Sequence, residues 1–210
     1  NRNDPANGKQ MASGSLVTIP NVTVAPFFQK LFCGANSTSG AGDPYTHVAK
    51  IGTTGPASAI IEADINIGGT HRYKKADGVR INKWTIPVDA AGFAQWSFEM
   101  MGRSVTVETS AYDASLTDWV TGTPLDYLQL AAADVKIGGS AVGYIQSGSI
   151  DISANLFGDD YRAGGLGVRG SLVPGTHTVT GSLKLVIDST AVLTLLQAGT
   201  ATSLSFLWTA

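Results

Sequence analysis

EADINIGGTHRYKKADGVRINKWTIPVDAAGFAQWSFEMMGRSVTVET, residues 62–109, decides the fold class. Glu62, Asp64 and Asn66 fall on one side of an extended chain, and Ile61, Ala63, Ile65 and Ile67 on the other. Further on, Gln95, Ser97 and Glu99 oppose Trp96, Phe98 and Met100, and Ser104, Thr106 and Glu108 oppose Val105 and Val107. Alternation with a period of two marks antiparallel strands that have one dry and one wet face. Nothing in the stretch looks catalytic. A protein built this way presents a surface rather than enclosing a reaction.

The strand phases carry further detail. Ala59–Ile67 reads as one strand, and Gly68-Gly69 as a permissive bend. Ala76-Asp77-Gly78 reads as a turn before a strand over Val79–Val88. In that strand the apolar positions are 79 and 81, then 84, 86 and 88, so the phase slips near Asn82-Lys83. A β-bulge absorbs such a slip, because one extra residue keeps both halves facing the core. Asp89–Gly92 is the next turn, followed by a strand over Phe93–Glu99.

Outside this stretch the signals are shorter. Residues 1–15 are polar and read as a flexible arm, and residues 16–210 as one domain. Leu16–Ile19 and Val22–Val24 suit short strands, Cys33–Pro44 a loop, and Tyr45–Ile51 a strand. Alternation also places strands around residues 146–153 and 178–187. Leu204–Trp208 reads as a final strand, so apolar that it must pair internally or be completed by a neighbour. Two short helices are expected. Thr123 caps one, with Pro124 at its first position and Leu125, Leu128 and Ala132 facing the body. The other runs from Ser189 to Ala198, with an apolar stripe of Val192, Leu195 and Leu196, and Gly199 ends it.

Composition narrows the function. The 210 residues are 43% hydrophobic and only 14% charged, so a core can form and much of the surface is Ser, Thr, Gly and Ala. Net charge is −2 with no basic block, whereas sequence-independent nucleic-acid binding needs a clustered positive field. The one cluster, Arg72, Lys74, Lys75 and Arg80, reads as a solvated loop or a subunit contact. A single cysteine, Cys33, permits no disulfide within the chain. No apolar run approaches the roughly 20 residues of a membrane helix.

Motifs for chemistry are weak. Gly165-Leu-Gly-Val-Arg-Gly170 has the letters of a dinucleotide fingerprint without its strand–turn–helix setting. His47, His71 and His177 lack metal-ligand spacing. Asp159-Asp160 offers too few oxygens for a hard cation. No catalytic residue, metal ligand or cofactor site is assigned. Trp84 and Trp96 fit the dry side of their strands, which leaves Trp119 as the tryptophan for a contact surface.

The order of cues from Glu62 to Arg103 is familiar: an acidic strand start, Tyr73, Gly78-Val-Arg-Ile-Asn82, Trp84-Thr-Ile-Pro-Val88, Gly92, and an aromatic strand closing on Met100-Met-Gly-Arg103. With the Gly143–Asn155 strand and the Gly181–Asp188 strand before a short helix, it resembles the tail tube proteins (major tail proteins) of long-tailed bacteriophages, over roughly Ala59 to Trp208. The family continues past an apolar strand like Leu204–Trp208, which would make this chain short at that end. The resemblance implies a mainly β fold, an antiparallel sandwich or barrel with one or two flanking helices. It implies hexameric rings stacked into a tube in the virion tail, made in the host cytoplasm. Its partners would be further copies, other tail proteins, and DNA sliding through without specific binding. Membranes would play no part, and the protein would not be an enzyme.

On that picture the wet faces line the channel, with Glu62, Asp64, Asn66, Glu99, Glu108 and Asp151 as candidates. The long loops Ser110–Gly122 and Asn155–Pro174 would join subunits through Trp119, Asp159, Asp160, Tyr161, Arg162 and Arg169. Two other readings stay open: a tube subunit of a secretion or gene-transfer device, and a secreted β-sandwich that binds carbohydrate.

Overall fold

A computed structural model describes residues 12–40, 46–52, 55–89, 94–115, 127–141, 144–161, 167–186, 190–199 and 201–209. Its elements, in chain order, are β1 (Ala12–Thr18), α1 (Ala25–Cys33), β2 (Asn36–Ser39), β3 (Thr46–Ala49), β4 (Ala59–Ile67), β5 (Thr70–Asp89), β6 (Trp96–Gly102), β7 (Ser104–Glu108), β8 (Gln129–Ile137), β9 (Ser140–Ala141), β10 (Tyr144–Ser153), β11 (Thr178–Val186), α2 (Thr190–Ala198) and β12 (Leu204–Thr209).

The organising element is β5, a 20-residue strand. Its second half lies inside the main sheet, in the order β1-β6-β5-β10-β11. Its first half carries β4 on one edge and β7 on the other. β6 and β7 follow the same edge of β5 and are separated only at Arg103, whose N–H bonds to the Asp77 carbonyl at 2.9 Å. The long strand therefore carries a three-stranded arm, β4-β5-β7, out of the main sheet.

Two irregularities keep β5 in phase. At Asn82 the pairing with β6 slips, so Ile81 faces Met100 and Lys83 faces Glu99. This is the expected bulge, and Val79, Ile81, Trp84, Ile86 and Val88 are all buried. At Asp77-Gly78 two residues lie opposite Ile60. Gly78 takes φ +59°, and a Cβ there would come within 2.8 Å of Arg103. The turn expected at Ala76–Gly78 is thus a second bulge in a continuous strand, because β4 on one edge, and β7 then β6 on the other, hold the ladder on either side of it. Gly68-Gly69, read as a bend, is the two-residue turn of the β4–β5 hairpin, with φ of +58° and +83°.

One side of the main sheet is the core. Phe98 is fully buried, stacks on Phe28 at 4.6 Å and lies 5.8 Å from Trp84, which meets Trp96 edge-on at 4.8 Å. Over this side lie α1, the β2–β3 hairpin and the small sheet β12-β8-β9. The latter packs Val135 and Phe206 toward Val88 and Ile145. The result is mainly β and antiparallel, a sandwich as expected. Among the described residues the strands do not close into a barrel.

Several local expectations change. Ala12–Ser15, read as part of the arm, are strand, paired from Ala12↔Gly102 to Ser15↔Glu99; residues 1–11 lie outside the described set. Val22–Val24 form a turn and not a strand. There the Asn21 side-chain oxygen accepts the N–H groups of Thr23 (3.0 Å) and Val24 (2.8 Å). Helix α1 follows, with a proline in its first turn, and Gly34 (φ +82°) ends it. β2 sits inside the expected loop at Cys33–Pro44 and pairs with β3. The helix expected after Thr123 fails where it can be seen: Ala132 lies in β8, which pairs with β12 at Gln129 and Leu130 and again from Val135 to Ile137. Its start lies outside the described residues. β12 pairs internally, and α2 and its closing Gly199 (φ +59°) stand where expected, although the side chains of Val192, Leu195 and Leu196 lie outside the described set.

Candidate functional site

Opposite the core, the main sheet presents a polar face. Two registers cross all five strands. One runs Thr180, Asp151, Thr85, Ser97, Val17; the next runs Thr178, Ser153, Lys83, Glu99, Ser15. Val17, on the edge strand, is the one apolar residue in the two rows. The charges are set against one another. Lys83 Nζ lies 3.3 Å from Asp151 Oδ1 and stands opposite Glu99. Thr85 donates its hydroxyl to Asp151 at 2.5 Å. That hydrogen bond, and then Lys83, hold the Asp151 carboxyl below its ordinary range.

The same side of β5 continues along the arm, because both bulges preserve the phase. Glu62 stands opposite Lys75, Asp64 and Glu108 flank Tyr73 from either edge, and Asn66 stands opposite His71. All six channel candidates, Glu62, Asp64, Asn66, Glu99, Glu108 and Asp151, therefore share one side of the long sheet. Most have partners. The Tyr112 N–H donates to Glu62 at 2.9 and 3.2 Å. His71 Nδ1 meets Asp64 at 2.8 Å. Asn66 Oδ1 accepts the Gly69 N–H at 2.9 Å, which fixes the hairpin tip. Lys75 lies 5.3 Å from the centre of the Tyr112 ring. Glu99 and Glu108 are exposed.

Sequence reading left out Lys83, Thr85 and Ser15 from this face. The signal for the first two was available: with Trp84 and Ile86 dry and a bulge at Asn82, positions 83 and 85 must be wet. Ser15 gave no signal, since its strand was placed from residue 16.

The expected basic cluster does not exist as a patch. Arg72 and Lys74 lie on one face of the arm and Lys75 on the other, while Arg80 donates to the Leu172 carbonyl at 2.6 Å. The long loop after Asn155 crosses the Asn82–Met101 end of the sheet as a strap. Leu156 N–H donates to Asn82 Oδ1 at 2.9 Å, and Phe157 bridges Val173. Asp159 is exposed; Asp160 and Tyr161 are half-buried, and the Asp160 carboxylate accepts from Ser171 at 3.1 Å. Arg169 is 3% exposed, and its guanidinium donates to the Gly102 carbonyl at 3.0 Å and to Tyr161 Oη at 3.1 Å. It ties the strap to β6. Trp119 and Arg162 lie outside the described residues.

Chemistry elsewhere is sparse. Burial pushes the Cys33 thiol up, away from its reactive thiolate form. Among the described residues no group of three or more His, Cys, Asp or Glu could hold a metal, and no helix is long and apolar enough to cross a membrane. No curated protein matches the chain. The chain matches the phage tail tube proteins from residue 1 to residue 210, so it belongs to that family.

Proposed function

We propose that copies of this chain close into hexameric rings, that the rings stack, and that the polar face of the main sheet lines a channel for DNA. Family membership makes it a structural protein of the phage tail tube, with a place in the virion tail. The finer reading is ours, and one observation carries it: the two registers of hydroxyls and mutually compensated charges on the side opposite the core.

DNA binds protein tightly when free cations replace its condensed counterions. On this face Lys83 is occupied by Asp151 and faced by Glu99, and Glu62, Asp64 and Glu108 add negative charge along the arm. Such a wall holds phosphates off and lets the duplex slide. The loops Ser110–Gly122 and Asn155–Pro174 join one ring to the next, with Trp119, Asp159, Asp160, Tyr161 and Arg162 at the joints. Arg169 supports them from beneath. The whole chain acts as one tube domain without catalysis, cofactor or membrane contact, and it is made in the host cytoplasm.

Sedimentation velocity over a wide concentration range tests assembly, with negative-stain microscopy of the fast species. Rings or tubes are expected. A strict monomer at the highest concentration would count against the reading. The channel role is tested by Glu99→Lys, which replaces the acid facing Lys83 with a second cation. Particles carrying it should assemble but deliver DNA poorly, with the defect relieved by salt. Normal delivery, with the introduced lysine side chain shown to face the channel, would remove the electrostatic argument.

A further inference from the structure

The side of the arm that continues the core face has no cover among the described residues. Ile61, Ala63, Ile65 and Ile67 of β4 stand in register with Ala76, Lys74, Arg72 and Thr70 of β5, and Val105 and Val107 of β7 extend the first two rows. Ala59, Ala76 and Val79 at its root belong to the hydrophobic core. Beyond them the layer of α1, β2–β3 and the small sheet stops, yet the apolar pattern runs on. Ile65 is 43% exposed, Ile67 67% and Val107 64%. A three-stranded sheet with apolar residues bare to water lacks the second layer that sheets need.

We infer that this face of the arm docks on a second copy of the chain, an inference that rests on the proposed ring assembly. Three observations favour a second copy. The charged residues in register on the face, Arg72 and Lys74, are both cations. The chain as a whole has 14 Lys and Arg against 16 Asp and Glu, so the rest of the chain, without these two, carries an excess of acids. A copy of the same chain is thus complementary to the arm in charge. Second, residues 1–11 offer only Pro5, Ala6 and Met11 as apolar groups, too few to cover three bare aliphatic positions. Third, the area is small. Even counted as seven residues by three strands, more than β7 supplies, it measures about 20 by 14 Å, or roughly 300 Å². A stable pairwise interface buries about 800 Å² on each partner. The arm cannot hold an isolated dimer. It suits a contact repeated around a closed ring, where each copy gives one arm and receives another.

The occupant is an apolar surface lying about 10 Å from the arm, as a second sheet layer does, with carboxylates reaching Arg72 and Lys74. Docking closes the sandwich that the single chain leaves open.

The test uses two variants of the full chain. Ile65→Thr/Ile67→Thr/Val107→Thr keeps branched, strand-compatible side chains on exposed positions. Its monomer should melt within a few degrees of wild type, while tube yield at fixed concentration falls at least about tenfold. Ile67→Cys gives a reporter, distinguished from buried Cys33 by peptide mapping. Maleimide should label it rapidly in dilute monomer and about tenfold or more slowly in assembled tubes. Wild-type tube yield from the triple variant, or equal labelling in tubes and monomer, overturns the inference while leaving the tube function intact. Protection already present in the monomer means that the chain covers its own arm, and also overturns it. Protection in tubes only when another tail protein is added assigns the face to that protein and again rejects a second copy. If wild type forms no rings or tubes, the reading of the whole chain as a tube subunit fails first.

Discussion

Deleting Asn82 is the sharpest perturbation of this fold. The extra residue keeps Val79 and Ile81 on the same side of β5 as Trp84, Ile86 and Val88. Without it one half of the strand must turn over. Val79 and Ile81, 4% and 0% exposed, would leave the core, at about 1.5–3 kcal/mol each. Arg80 would turn inward and lose its bond to Leu172. The direct loss is roughly 3–6 kcal/mol, which approaches the whole stability of a typical domain, about 5–15 kcal/mol. Asn82→Ala is the control. It keeps the residue count and the backbone bond from Ala154, and loses only the side-chain acceptor of the Leu156 N–H. That costs about 0.5–1.5 kcal/mol, more if the Leu156 group is left without a partner. Thermal unfolding followed by the fluorescence of Trp84 and Trp96 reads both. At about 2–4 °C per kcal/mol for a chain of this size, the deletion should lower Tm by at least about 6 °C and the alanine by a few degrees. Equal midpoints for the two variants would refute the phase argument.

Other outcomes follow from the same structure. Arg169→Met should release the strap and the first strand together, with a loss of roughly 2–4 kcal/mol because the Gly102 carbonyl and Tyr161 hydroxyl lose a charged donor; hydrogen exchange should rise at Ala12–Leu16 and at residues 156–161. The depressed Asp151 carboxyl stabilises the fold above the ordinary value of 3.8, and that small contribution fades as pH falls from there through the lowered folded value. Thr85→Val should move the Asp151 titration upward, as read by carboxyl NMR, and narrow that window. Gly148→Ala should unzip β11 from β10, since a Cβ there would lie 2.5 Å from the Ser182 carbonyl oxygen; the loss shows as exchange of the β11 amides with the Trp core intact.

How far the sequence could be read depended on whether local pattern or distant pairing decided each element. Alternation at Glu62–Asn66 and Gln95–Met100 is set by which face meets the core, so the strands and even the Asn82 bulge were visible. Ala76-Asp77-Gly78 has the chemistry of a reversal, but the chain uses Gly78's positive φ for a bulge, and only the ladders of β4 and β7 reveal that. The Ala131–Ala133 run favours helix, yet it is strand, held between the pairings of Leu130 and Val135 with β12; tertiary contacts override a weak propensity. α1 went unread because its nine residues follow an Asn21 turn with no side-chain cap. The channel candidates were legible as wet positions of their own strands; that they share one side rests on the pairing registers. That Glu62 holds Tyr112, and that Arg169 is buried beneath the strap, depends on contacts 50 or more residues apart, which no local pattern carries.

The central claim is that the polar side of the main sheet faces a channel. A cryo-electron microscopy reconstruction of tubes assembled from the full chain tests it directly. The account predicts Ser97, Glu99, Lys83 and Asp151 on the inner wall, with the apolar side of the arm against the neighbouring copy. A tube with those four residues on its outer surface, or buried between subunits, would contradict it.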